Sequence, residues 1–233
     1  MKISAFALPE AVLGKHNVKN DMLDQADKLV QAKKKTYPQI ELAGKDAAAE
    51  SDVIIIPKDA KTDLILGDLD FIETRLSKSP AEKEKLILEK MKAALEKEEF
   101  ISTVGLTNEE KEVISGYGLL TLKPVAIITK EEMENMGNLL ARVLAESGYI
   151  NFLTVGDKEN RAWLIKKGTN AWEAAGAIHS DIQKGFIRAE IISFSDFIAA
   201  GGETQAKQQG KMRLEQKEYI MQDGDLVNFR FNK

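Results

Sequence analysis

Residues 160–178 read Asn160-Arg161-Ala162-Trp163-Leu164-Ile165-Lys166-Lys167-Gly168-Thr169-Asn170-Ala171-Trp172-Glu173-Ala174-Ala175-Gly176-Ala177-Ile178. Ala162–Lys166 has the apolar density of a strand, Gly168-Thr169-Asn170 is a turn, and Ala171–Ile178 has a helical pattern. Further along, Phe186–Ser193 reads as a second strand and Asp196–Ala200 as a short helix. Tyr219–Met221, Asp223-Gly224 and Val227–Phe231 predict a hairpin closed by a DG turn. A small mixed sheet crossed by one helix is a β-grasp arrangement, and it occupies residues 159–233.

Upstream the texture is different. Ile3–Leu8, Val53–Ile56, Val125–Ile128 and Ile150–Val155 are short apolar runs between polar turns, and Gln39–Leu42 is a shorter one after Pro38. Helical patterns at Asp21–Lys34 and Glu131–Ser147 separate some of them, which predicts a parallel sheet with crossover helices over residues 1–158. A charged stretch interrupts this sheet. Ile65, Leu69, Ile72 and Leu76 are spaced 4-3-4, and Leu88, Met91 and Leu95 resume the pattern. Between them, Ser79, Pro80 and Glu82 read as the start of a new helix with a capping box. Two helices should therefore fold back as an antiparallel hairpin, inserted at about 62–117, with Glu109–Tyr117 a last short helix.

Bulk composition narrows the function classes. The chain has 233 residues, a net charge of −4 and no cysteine, so disulfides and thiolate metal sites are excluded. The apolar run at the N-terminus is too short for a signal peptide, and no stretch is long enough to span a bilayer. A cytoplasmic protein without a membrane association is expected. Residues 161–233 hold eleven Lys and Arg against nine Asp and Glu, and the remainder holds 22 against 28. If any part touches RNA, the C-terminal part is the better candidate.

Several blocks then carry a resemblance that periodicity does not supply. They are Ala175-Gly176-Ala177-Ile178-His179-Ser180-Asp181, Gly185-Phe186-Ile187-Arg188-Ala189-Glu190, Gly210-Lys211-Met212-Arg213, and Gln222-Asp223-Gly224-Asp225 with Phe229-Arg230-Phe231-Asn232. In this order they resemble the TGS domain of the Obg-like ATPase family, YchF type. Leu119-Leu120-Thr121-Leu122-Lys123-Pro124 also resembles that family's return from its helical hairpin. The resemblance implies an α/β chain plus β-grasp: a reduced P-loop-like parallel sheet with an inserted hairpin, then a TGS domain at 159–233. It also implies a nucleotide site in the first part and ribosome or RNA contacts in the second.

The nucleotide motifs are weak remnants. A P-loop needs glycines that let backbone N–H groups wrap phosphates, a Lys, and a Ser or Thr for Mg²⁺. Here Ala7-Leu8-Pro9-Glu10-Ala11-Val12-Leu13-Gly14-Lys15-His16 keeps Gly14 and Lys15. Ala7 replaces the first Gly, the interval is two residues too long, and His16 takes the Mg²⁺-ligand position. The family's Asp-x-x-Gly corresponds to Glu41-Leu42-Ala43-Gly44. The family's base-reading Asn-x-x-Glu falls on Lys130-Glu131-Glu132-Met133, where neither end matches; shifted by one, Thr129-Lys130-Glu131-Glu132 resembles a degenerate guanine-reading Asn-Lys-x-Asp, with Lys130 the remnant. Hydrolysis needs all the parts at once, so no cofactor is expected; the alternative is ATP or GTP with Mg²⁺.

Other chemistry is thin. His16 and His179 share no metal-ligand spacing, and His179, at the end of a helical run, should cap or pack. Trp163 and Trp172 are expected in or near the β-grasp core, and Asp223 is expected to supply turn geometry. What remains is a surface on which Lys184, Arg188, Lys211 and Arg213, with Lys207, Lys217 and Arg230, could meet phosphates. The leading expectation is a non-catalytic protein that engages the ribosome, RNA or a translation-linked partner, competing with an intact family member. The alternatives are a divergent ATPase or GTPase using Lys15, and a small-ligand sensor.

Overall fold

The computed structural model describes residues 1–232. In chain order its first elements are β1 (Lys2–Ala5), β2 (Gly14–Asn17), α1 (Asp21–Val30), β3 (Lys35–Thr36), β4 (Gln39–Ala43) and β5 (Val53–Pro57). Next come α2 (Lys61–Ser77), α3 (Glu82–Leu95), α4 (Asn108–Val113), β6 (Val125–Ile128), α5 (Lys130–Met133) and α6 (Met136–Glu146). The last part holds β7 (Tyr149–Thr154), β8 (Asn160–Lys166), α7 (Ala171–Ile178), α8 (Ser180–Lys184) and β9 (Phe186–Ile192). It ends with α9 (Phe194–Ala200), α10 (Glu203–Gln208), β10 (Arg213–Glu215) and β11 (Leu226–Phe231). These form two compact units, 1–16 with 40–139, and 17–39 with 140–232.

The first unit carries a five-stranded sheet of order β2-β4-β1-β5-β6. β1 runs parallel to β4, with Ile3 opposite Leu42, and to β5, with Ile3 opposite Val53. β5 runs parallel to β6. Val53, Ile54, Ile55 and Ile56 are all fully buried, so both faces of the central strand are covered and its sequence is an unbroken apolar run.

From this unit α2 and α3 pair antiparallel around Ile65, Ile72, Leu88, Met91 and Leu95. Arg75 binds Glu84 through two bonds of 2.5 and 3.1 Å at the turn, while Lys61 meets Glu98 at 3.7 Å at the far end. The expected Ser79 cap is absent: Ser79 has φ 52°, and the extended residue before α3 is Ala81, which offers no side-chain cap. Asp68, buried on α2, holds the returning chain by accepting from Leu120 N at 3.0 Å and from Thr121 N and Oγ1 at 2.7 Å each.

The second unit carries a six-stranded sheet of order β10-β9-β11-β7-β8-β3. One face packs on α7 through Phe152, Ile165, Ala171, Ala175, Ile191 and Phe229. The other packs on α1 and α9 through Leu23, Ala26, Leu153, Ile192, Phe197 and Leu226. Adjacent residues such as Phe152 and Leu153 serve opposite faces, as strand geometry requires.

Three sequence expectations are corrected here. Ile150–Val155 does not join the first sheet: β7 pairs antiparallel with β8, from Tyr149 opposite Lys166 to Thr154 opposite Arg161. The short link 155–159 suffices for an antiparallel return, whereas a parallel neighbour needs a long crossover. The boundary expected at 158/159 therefore falls inside the second unit. The Asp21–Lys34 helix also belongs to the second unit, since Leu23 and Ala26 lie in its core. Finally, Tyr219–Met221 is no hairpin strand. β11 pairs with β9 antiparallel and with β7 parallel, and Ile220 makes an isolated bridge to Asn170. The Tyr219–Asp225 loop is held by Asp225, which accepts from Gln222 N and Tyr219 Oη at 2.9 Å each.

Candidate functional site

In the first unit, the residues matched to a P-loop stand in other surroundings. Gly14 and Lys15 open β2, the edge strand of the sheet, so their backbone faces a strand neighbour and not the start of a helix. The next helix in the chain, α1, has Asn20 as its cap and Asp21 and Asp24 in its first turn, carboxylates that already complement its dipole. Between β1 and β2 the chain buries Phe6, Leu8 and Ala11 and leaves Val12 and Leu13 exposed. A Cβ placed on Gly44 would lie 3.6 Å from Leu13 Cδ1, so an apolar side chain occupies the space beside that glycine. His16 Nε2 shares a 2.6 Å hydrogen bond with the Val12 carbonyl.

Glu41 is exposed on β4, and the Gly44 carbonyl accepts from Ser4 Oγ at 3.2 Å. Lys130 begins α5, where Thr129 and Glu132 form a reciprocal capping box. The tetrapeptide Thr129–Glu132 thus has a complete local explanation as a helix start. Lys123 Nζ donates to the carbonyls of Ala48, Ala49 and Ser51 at 2.9, 2.5 and 2.7 Å. Burial pushes its amine below the usual lysine value. Among the described residues no group of three or more His, Asp or Glu side chains is placed to hold a metal ion.

In the second unit the expected basic surface is dispersed. Arg188 meets Glu190 at 3.7 Å, Lys211 meets Asp196 at 3.2 Å, and Arg213 lies 3.8 Å from Glu215 and 3.7 Å from Asp225. Arg213 is paired with Ile191 while Arg188 is two residues before Glu190, so the two arginines point from opposite faces of the sheet. Lys184 lies apart from both, at the end of α8 beside His179 and Phe231. His179 caps α8, accepting from Asp181 N at 3.1 Å, as expected of it. Trp163 is partly buried beside the core, under the Arg161 guanidinium at 3.9 Å, but Trp172 is 40% exposed and not a core residue. Asp223 accepts from Asn151 N at 2.8 Å, and the left-handed position is Gly224.

Two buried carboxylates, quoted above only within the matched blocks, hold positions that the sequence pattern does not assign to them. Glu190, 7% exposed, takes two bonds from Arg230 at 2.9 and 2.8 Å, which hold its carboxyl below the usual range. Asp225, 2% exposed, is pushed up by burial, and burial with the adjacent Asp225 carboxylate lifts Tyr219 to about 12. Alternating charge on β9 and β11 (Arg188, Glu190, Arg230) was the available signal for the first; a DG-turn reading hid the second.

Comparison with known proteins agrees with this architecture. The family model YchF-GTPase_C, described as a protein of unknown function (DUF933), matches residues 149–232. The ribosome-binding ATPase YchF of Haemophilus ducreyi is 36% identical over 256 residues, covering 83% of this chain and 69% of that protein. The chain belongs to the YchF family. The ribosome-binding ATPase YchF of Bacillus subtilis is 33% identical over 235 residues, and there the match spans 64% of the relative's length. The YchF GTPase structure from Schizosaccharomyces pombe shares the fold, with a TM-score of 0.76 at 19% identity, covering 99% of this chain and 97% of that one. The family model begins at Tyr149, the first residue of β7, and so includes the strand that its apolar run alone assigns to the first domain.

Proposed function

We propose that this YchF-family chain is a cytoplasmic, ribosome-engaging protein that does not hydrolyse nucleotide through a P-loop. In this reading the six-stranded unit is its TGS, β-grasp-type domain. The first unit is a reduced NTPase-like domain whose α2 and α3 form the inserted hairpin. The observation that carries the non-catalytic part is Lys15 in edge strand β2, with Leu13 beside Gly44. A phosphate there would meet neither a helix N-terminus nor a nest of N–H groups, and Glu10 adds a like charge. The ribosome part is supported by the relatives named as ribosome-binding ATPases.

Thermal denaturation with Mg²⁺-ATP and Mg²⁺-GTP up to millimolar concentration tests the first part. A ligand at 100 times its Kd stabilises by about 2.7 kcal/mol, an easily read change in Tm. No shift is expected; a shift abolished by Lys15→Ala overturns the non-catalytic reading. Co-sedimentation with ribosomes, alone and against an intact YchF protein, tests the second part. The chain should pellet with ribosomes and be displaced by the intact protein; absence from the pellet at excess ribosome counts against it.

A further inference from the structure

β11 is unevenly paired. Against β9 its register runs from Leu226 to Phe231, while against β7 it is the single pair Leu226–Leu153, because β7 ends at Thr154. Residues 228–231 thus have no strand partner on the β7 side among the described residues. A cavity of about 430 Å³ opens at this place, within the roughly 300–1,000 Å³ typical of ligand pockets. Its apolar walls include Trp163, Ile178, Phe229 and Phe231. Every ionisable side chain in its lining is a carboxylate: Glu159, Glu190 and Glu203.

We propose that this slot takes an extended, basic peptide segment, which adds as a strand to the free side of β11 and sets a Lys or Arg against the carboxylates. A free strand edge offers backbone donors and acceptors to another chain, and alternate side chains then enter flanking pockets. The lining holds no cationic side chain to receive a phosphate, whereas a Lys or Arg can exchange into the Glu203 pair, which selects protein over RNA as the occupant. Glu203 is held by Lys207 through an exchangeable surface pair at 2.5 Å and can turn to an incoming cation, while Glu159 is fixed by Lys34 at 3.2 Å and by Thr36 at 2.5 Å. Glu190 is already satisfied by Arg230 and takes no part in holding the cation. The inference rests on the six-stranded unit being the docking domain, and names the chemistry of what docks.

The test is fluorescence anisotropy of the full chain with a labelled, end-blocked Val-Arg-Val-Lys-Val peptide. Saturable binding is expected. It should weaken about tenfold or more when alternate peptide amides are N-methylated, when Arg and Lys become Glu, or in Glu203→Arg. Glu203→Gln, with a smaller loss, serves if charge reversal disturbs α10; Tm and circular dichroism verify that either variant is folded. No binding, or equal binding of the N-methylated peptide, overturns strand addition. A uridine dodecamer that binds in its place, and more tightly in Glu203→Arg, overturns the choice of protein over RNA. Peptide binding without ribosome co-sedimentation would remove the ribosome reading and leave the slot standing.

Discussion

Gly224 shows how one residue ties the N-terminal helix to the second sheet. Its φ is 81°, and a Cβ built on it would come within 2.6 Å of Met22 Sδ and 3.1 Å of Phe194 Cβ. Gly224→Ala should therefore destabilise by about 2–4 kcal/mol, combining left-handed strain with overpacking. Met22→Ala should relieve the packing share only, so in urea denaturation the double variant loses less than the sum of the two. Glu190 makes a different kind of statement. Its folded pKa lies below the ordinary 4.5, mainly because of the Arg230 bonds. Its contribution is therefore full above that value and fades as pH falls through the lowered folded pKa. Glu190→Gln should lower stability at pH 7 and flatten the acid side of the stability profile, read as Tm between pH 7 and pH 3. An unchanged acid slope would show that other carboxylates dominate there.

At the scale of elements, the helical pair is anchored by a polar staple as well as by its apolar seam. Asp68→Ala leaves the N–H groups of Leu120 and Thr121 and the Thr121 hydroxyl without their acceptor in a buried setting. Losing an acceptor from buried donors costs about 1–3 kcal/mol per group. Hydrogen exchange should accelerate across α2, α3 and residues 119–122 while the six-stranded sheet keeps its protection; a uniform loss of protection would mean the staple acts globally. This scale also separates what the sequence discloses from what it hides. β5, β6, α2 and α3 were legible because apolar runs and 4-3-4 spacing are local properties of the chain. Whether β7 joins one sheet or the other is decided by its partner β8, and Ile150–Val155 looks equally apolar for both. Likewise Gly14-Lys15 is compatible with a loop, a phosphate turn or a strand, and its pairing in β2 is a tertiary outcome. The slot beside β11 arises from where β7 stops, which no motif encodes.

For the whole molecule, the consequence of this architecture is that the second unit is discontinuous in sequence. Its core needs α1, whose Leu23 and Ala26 are fully buried against the face formed by Leu153, Ala162 and Leu226. Asn160 also donates to Asp27 at 2.8 Å, and Thr36 to Glu159 at 2.5 Å. A fragment beginning at 159 would lack β7, the strand between β11 and β8 in the sheet order, and should not fold at all. A fragment of residues 140–233 keeps the strands except β3 but exposes the face that α1 covers. Each large aliphatic side chain left unburied there forfeits about 1.5–3 kcal/mol, comparable in sum to the stability of a small domain. It should therefore show a broad, low-temperature transition and bind hydrophobic dyes. Joining residues 17–39 to it through a flexible linker should restore a sharp transition, because the missing face is then supplied in cis. If the 140–233 fragment melts as cooperatively without that segment as with it, α1 is an accessory of the sheet and not part of its core, and the division at residues 17–39 must be redrawn.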